Sequence, residues 1–415
     1  MIACGLDFGT SNSAIGVARN DTATLAPIEA GSTLVPSAVF FDYEADRVLF
    51  GNAAVAAYVG QTEGRLMRAL KSILGTSLID EETVLAGRKV PLTTVVETFV
   101  RHLKEKAEAF AGHEITAVVH GRPVRFVDDD DTADARAQGV LEAVARRVGF
   151  RDVAFVYEPI AAAHQYEQSV RSEELVLIAD IGGGTSDFSI ARVGSQHRQR
   201  ADRRQDVLAS AGVRVGGTDF DTALSLSAVM PLLGLGTQLV EKSLPMPNAL
   251  YHELAAWATI NFAYTYRNER ELAELLSLAC EPKKVARLLD LVQRRLGHRL
   301  AFAVEDAKIA LSGEDRAVVP LGFLEAGLLA NETRAAFERA IEAGTERLYR
   351  TASDCIALAG VQPAAIDTIF LTGGSSRVPA VRAAIGRAAP SARLAGGSDL
   401  LSVALGLTQM ARIMG

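Results

Sequence analysis

Short apolar runs separated by compact polar turns open the chain. Residues 2–8 form an apolar run ending in Asp7-Phe8-Gly9; Thr10-Ser11-Asn12-Ser13 follows, and 14–18 are apolar again. This is strand, turn, strand. The pattern returns later: an apolar run over 175–180, then Ile181-Gly182-Gly183-Gly184-Thr185-Ser186-Asp187, then apolar residues over 188–193. The two segments align as Asp-x-Gly-Thr-Ser-Asn-Ser against Asp-x-Gly-Gly-Gly-Thr-Ser, an internal repeat on the scale of half the molecule. It predicts two α/β halves, each opening on a hairpin whose turn carries Asp, Gly and a hydroxyl. Two such halves facing each other leave a cleft, a common place for a ligand.

Further strands are predicted over 38–41, 115–119, 153–157 and 366–371. Helical periodicity covers 92–110, 132–148, 159–168, 219–233, 250–266, 269–279, 283–311, 332–359, 377–388 and 400–413. Strands alternate with helices inside each half, so the class is α/β. The stretch 221–312 is nearly all helical and reads as an insertion carried by the second half. The expected division is a first lobe over 1–173 with an inserted subdomain near 36–112. A second lobe covers 174–384 with its helical insertion near 222–312, and a helical segment over 385–415 returns to the first lobe.

The 415 residues are about two to three domains' worth. With 49% hydrophobic and 22% charged residues the chain is globular, not disordered. Forty-three basic against fifty acidic residues give a net charge of −7, which lacks the footprint of a dedicated nucleic-acid binder. Cys4, Cys280 and Cys355 have neither disulfide nor zinc spacing, which suits a reducing compartment. The N-terminus reaches Asp7 before a signal peptide can develop. The uncharged stretch 222–240 is interrupted by Pro231, Gly234 and Gly236 and reads as buried helix and turn rather than a membrane span. A cytoplasmic setting is expected. Three loops stand out: the acidic run 128–131, read as a solvated helix cap rather than a metal site; the basic stretch 194–206, read as a solvated hairpin tip; and 243–248, a helix connection.

The chemistry lies in the turns. A tight turn after a strand aims backbone N–H groups into one concavity, which suits an anion. Gly9 permits close approach, and Thr10, Ser11 and Asn12 add donors. Asp7 is unhelpful beside a phosphate alone, but sensible if Mg²⁺ sits between carboxylate and phosphate. Asp180, Gly183, Gly184, Thr185 and Asp187 repeat that set of groups. A third glycine element, Thr372-Gly373-Gly374-Ser375-Ser376-Arg377, links a strand to a helix whose N-terminus offers free N–H groups. A fourth, Gly216-Gly217-Thr218-Asp219, also opens a helix, as a binding turn or a plain cap.

In this order the segments GLDFGTSNS, IADIGGGTSDFSI, RVGGTDFD and IFLTGGSSRVP resemble the ATPase domain of DnaK-type heat-shock chaperones, the Hsp70 family, whose fold is shared with actin and sugar kinases. Leu70-Lys71-Ser72-Ile73 is similar to that family's catalytic-lysine segment. Tyr157-Glu158-Pro159 is similar to its Glu-Pro before an Ala-rich helix, and Pro123 to its hinge proline. Glu305-Asp306-Ala307-Lys308-Ile309-Ala310-Leu311-Ser312 is similar to its adenosine-contacting helix. The resemblance implies a duplicated actin-like fold with a nucleotide cleft, ATP or ADP with Mg²⁺ as cofactor, and K⁺ as an optional second cation. It implies Asp7 and Asp180 as metal-holding residues, and Thr10, Ser11, Asn12, Gly183 and Gly184 as phosphate contacts. Lys71, Glu158, Thr185 and Asp187 would act on the γ-phosphate and the attacking water. Gly216 and Gly217 would join the nucleotide site, and Glu305, Lys308, Ser312, Gly373, Gly374, Ser375 and Arg377 would line the nucleoside. Slow ATP hydrolysis and protein partners (clients, a co-chaperone or an exchange factor) would follow, with no nucleic acid or membrane partner and a monomeric state.

Four features depart from the family pattern. The chain stops at Gly415 without a peptide-binding domain, which looks most like the short, YegD-like branch. Ile309 stands where an arginine usually stacks on adenine. The Asp that normally precedes the last helix aligns near Leu400, one position from Asp399. The helical insertion is long and carries Trp257, Phe262, Tyr264 and Tyr266, read as a core stripe. A small-molecule kinase and an actin-like filament ATPase share the fold and are the alternative functions.

Overall fold

The apolar runs around the two aspartates pair as antiparallel hairpins in a computed structural model that describes residues 3–19, 22–195, 206–240, 244–396 and 401–414. Ile2, most of the basic stretch 194–206, Ser243, and Asp399 with Leu400 lie outside the described residues. The chain forms two compact units, one of Met1–Gly216, Glu346–Arg377 and Val381–Gly415, the other of Gly217–Thr345 and Val378–Ala380. Both halves of the repeat lie in the first unit.

That unit holds two mixed sheets that share one five-strand order, the first with the short strand Val35–Pro36 added. In the first, Ala3–Phe8 pairs antiparallel with Asn12–Arg19, which takes Thr22–Leu25 on its outer side. On the other side Ala3–Phe8 runs parallel to Ala117–Arg122, which runs parallel to Asp152–Tyr157. In the second, Glu174–Ile181 pairs antiparallel with Ser186–Val193, which takes Val207–Val213. On its other side come Thr368–Thr372 and Arg393–Gly396, both parallel. Phe8 stands opposite Ser13 and Ile181 opposite Ser186, so both hairpins close over four-residue turns. Asp7 and Asp180 therefore occupy equivalent positions, facing Ala14 and Asp187. Because side chains alternate along a strand, this register fixes the face each aspartate takes. The architecture is the duplicated actin-like ATPase fold that the motifs imply.

One apolar cluster joins the sheets. It gathers Ala161, Ala162 and Tyr166 from the helix Glu158–Glu167, Val403, Leu407 and Ala411 from the helix Ser402–Met414, and Val119, Val176, Ile178 and Phe370 from both sheets. The last helix comes close enough to need bare backbone. A Cβ on Gly406 would lie 2.5 Å from the Ala161 carbonyl carbon, and one on Gly5 would lie 2.6 Å from the Cα of Thr408.

Several long helical periods divide. The period over 283–311 becomes Pro282–Gln293 and Gly297–Gly313, separated at Arg295, whose φ is 54°. The period over 332–359 starts as the strand Leu329–Thr333 before Arg334–Ala340 and Glu342–Leu358. After Gly217–Leu224 the helix widens over Ser225–Val229 and tightens over Met230–Leu233, where Pro231 has no N–H for the carbonyl four residues back. The period over 250–266 keeps only Ala249–Ala255 and a short turn, Ile260–Ala263; Tyr266 opens the next helix. Short edge strands such as Thr22–Leu25 and Arg393–Gly396 have no clear sequence pattern.

Replacing Gly406 by valine is expected to destabilise the protein by about 3 kcal/mol, because backbone must move to admit the side chain. Urea unfolding should show the midpoint fall; an unchanged midpoint would mean the last helix is not seated on Ala161.

Candidate nucleotide site

Hydroxyls hold the two turns open. In the first, the Gly9 N–H donates to Ser13 Oγ at 3.2 Å, Ser37 Oγ donates to the Gly9 carbonyl at 2.7 Å, and the Ser37 N–H donates to the Ser11 carbonyl at 2.9 Å. In the second, the Gly182 N–H donates to the Thr185 carbonyl at 3.0 Å, and Ser186 Oγ donates to the Val215 carbonyl at 2.6 Å. Ser13 and Ser186 are equivalent in the repeat, and each ties its turn to a loop that follows it in sequence. The turns also touch. A Cβ on Gly183 would lie 3.1 Å from Ser11 Cβ, one on Gly184 2.7 Å from Thr10 Oγ1, and one on Gly216 2.6 Å from the Gly183 carbonyl oxygen. Gly9, Thr10, Ser11, Asn12, Gly183, Gly184, Thr185 and Gly216 thus form one assembly.

Lys71 sits on a single tight turn, Leu70–Ile73, entered through Ala69 in the left-handed region (φ 57°), and only 6% of it is exposed. Its Nζ donates to Glu158 Oε1 at 2.5 Å. Glu158 is itself buried, at the start of the helix Glu158–Glu167 with Pro159 in its first turn. Burial alone would lower the lysine's pKa, but Glu158, Asp7 and Asp187 outweigh it and hold the ammonium charged above its usual range.

The carboxylates respond oppositely. Burial, then the charge of Glu158, pushes Asp7 up to about 7 against the pull of Lys71. Asp180 is raised well above the aspartate range by burial and then by Glu158, Asp187 and Asp7. Asp187 is raised to about 8 by burial and Glu158, although the Val124 N–H donates to its Oδ1 at 2.5 Å and Thr185 also hydrogen-bonds to it. Four carboxylates therefore share one lysine, an excess of negative charge that a dication would relieve. Among the described residues no group of three or more His, Cys, Asp or Glu is arranged to hold a metal ion. Asp7 and Asp180 would supply two ligands at most, which fits Mg²⁺ completed by phosphate oxygens and water.

The third glycine element packs on the second turn. Gly373 has φ +79°, and a Cβ there would lie 2.8 Å from Asp180 Oδ1. Ser375, on the tight turn Gly374–Arg377, donates its hydroxyl to the Gly182 carbonyl at 2.9 Å. Gly217, Glu305, Lys308 and Ser312 belong to the second unit. There Lys308 Nζ lies 2.7 Å from Asp221 Oδ1 and donates to the Gly217 carbonyl at 3.2 Å, so this expected nucleoside contact also braces the start of the helix Gly217–Leu224. Ser312 donates to the Lys308 carbonyl, and Ile309 is exposed. Trp257 is core, donating to Asp221 at 3.2 Å, whereas Tyr266 is exposed. In the acidic run, Asp130 caps the helix Asp131–Arg147, and Asp128 accepts from the Arg214 N–H and pairs with Arg347. Sequence reasoning overlooked Ser37 and Val124; the only signals are Pro36 and Pro123 just before them.

The profile of the Hsp70 protein family matches residues 3–229 and 274–396. The chain belongs to the Hsp70 family. It is thus a nucleotide-binding, chaperone-like protein of a family that generally binds ATP and ADP with Mg²⁺ and works with client and co-chaperone proteins. The internal stretch left unmatched, 230–273, is the part of the helical insertion that carries Trp257 and Tyr264. No helix among the described residues is long and apolar enough to cross a membrane.

The raised aspartates set a pH dependence. Between the ordinary aspartate range and the folded values of about 7 for Asp7 and about 8 for Asp187, the folded state binds more protons than the unfolded state. Stability without nucleotide should therefore fall as pH rises from 5 to 8. Thermal melting should drop by about 5 °C or more over that range, and Asp187→Asn should flatten the slope. A melting temperature that rises with pH would contradict the carboxylate cluster.

Proposed function

We propose that this protein is a slow ATPase whose nucleotide state is read by protein partners, with Mg²⁺ held at Asp7 and Asp180. The observation that carries the reading is the contact of the two hairpin turns beside the buried Lys71–Glu158 pair and the carboxylates of Asp7, Asp180 and Asp187. Mg²⁺, when bound, would neutralise charge developing on the transferred phosphoryl group.

The chain's own groups do the rest. Backbone N–H groups and hydroxyls of Thr10, Ser11, Asn12, Gly183, Gly184 and Thr185 would hold the phosphates in a fixed pose. Lys71 would turn its ammonium from Glu158 toward the γ-phosphate. Asp187, raised to about 8, is suited to take a proton from the attacking water near neutral pH. Water oxygen bonds to the γ-phosphorus as the bond to the ADP oxygen breaks. Glu305, Lys308, Ser312, Gly373, Gly374, Ser375 and Arg377 would contact the nucleoside. Closure of the halves 1–173 and 174–384 would be the signal that partners read.

Calorimetry with ATP and ADP, with and without Mg²⁺, followed by hydrolysis on the same sample, tests the reading. Absence of nucleotide binding in Mg²⁺ would end it. Lys71→Ala should keep nucleotide affinity within about tenfold and abolish hydrolysis, because the lysine acts on the transition state. Equal loss of both would assign it to ground-state binding. Ile309→Arg should tighten adenine nucleotides about fivefold by restoring a cation over the base; titration showing no gain would refute the stacking role.

A further inference from the structure

Arg122 ends the strand Ala117–Arg122 and is buried, and its guanidinium makes four hydrogen bonds. Nε donates to the Pro123 carbonyl at 2.9 Å, Nη2 to the Val124 carbonyl at 3.2 Å and to Asp134 Oδ2 at 2.7 Å, and Nη1 to Gln138. Its flat group lies 5.1 Å from the ring centre of Phe126 and 5.3 Å from that of Tyr157. The other oxygen of Asp134 accepts the Phe126 N–H at 2.6 Å. Arg122 and Asp134 therefore pin both ends of residues 123–126. Between those pins the Val124 N–H points at Asp187 Oδ1, 2.5 Å away. Gly212 lies over the junction, where a Cβ would sit 2.8 Å from that oxygen, 3.0 Å from the Arg125 nitrogen and 3.1 Å from Val124 Cβ.

For stability alone this arrangement is a poor choice. A buried ion pair is often matched by well-packed apolar side chains of similar volume. What the planar fork supplies is direction: three of its bonds fix two carbonyls and a carboxylate at once, which a lysine cannot do. We propose that Arg122, locked by Asp134, is a positioning residue that fixes the orientation of Asp187 through the Val124 amide. The proposal rests on the reading of Asp187 as the group facing the attacking water.

The test compares wild type with Arg122→Lys and, should that variant not fold, with Asp134→Asn. Hydrogen exchange at the Val124 amide, measured without nucleotide, should quicken at least tenfold in the variant, while Val213, at the end of the neighbouring strand, keeps its rate. The kcat for ATP hydrolysis should fall at least tenfold, with ADP affinity unchanged within twofold. An unchanged exchange rate at Val124, or parallel loss of affinity and kcat, would overturn the proposal. If wild type binds nucleotide without hydrolysing it, the ATPase reading fails. Exchange at Val124 then still decides the positioning role.

Discussion

A single ammonium group, that of Lys71, is set against the carboxylates of Asp7, Glu158, Asp180 and Asp187, and much of the first unit is arranged so that this imbalance persists. Charges this close in a poorly solvated place would normally separate or take up protons. Here the strands do not let them separate. Asp7 and Asp180 are fixed by equivalent registers in two hairpins, Asp187 by pairing opposite Asp180, and Glu158 by the start of a helix that packs between the sheets. Burial pushes the carboxyls of Asp7, Asp180 and Asp187 above the ordinary aspartate range. A site built in this way favours a cationic guest, and a polyanion that carries one with it.

The two turns could be read in the sequence because their chemistry leaves few options. Glycines at 183, 184 and 216 are needed where backbone meets backbone or hydroxyl, and the matched Asp, Gly and hydroxyl spacing makes the duplication visible in the sequence. The central strands were legible because burial on both faces makes them uniformly apolar. The edge strands were not: Thr22–Leu25 and Arg393–Gly396 alternate too weakly, and pairing, not composition, makes them strands. Helical periods run together in the sequence across a short break such as that at Arg295, since periodicity survives it.

The site was less legible than the fold. Burial of Lys71 depends on Ala69 adopting a left-handed conformation, which alanine composition does not announce. The Arg122–Asp134 clamp spans two elements, and nothing in the local pattern says that Asp134 faces inward on its helix. Lys308 shows the reverse. A residue marked by motif as a ligand contact also has a structural partner in Asp221, so motif membership and a packing role coexist in one side chain.

The close seating of Ser402–Met414 has a bearing on biogenesis. This helix lies against Gly5 on the strand that is translated nearly four hundred residues before it, and completes the apolar cluster shared by both sheets. The earliest strand therefore leaves the ribosome long before its cover exists. While translation proceeds, the open face of that first sheet is an exposed apolar surface of the kind that chaperones shield. A protein of a chaperone family would, for that interval, itself need protection.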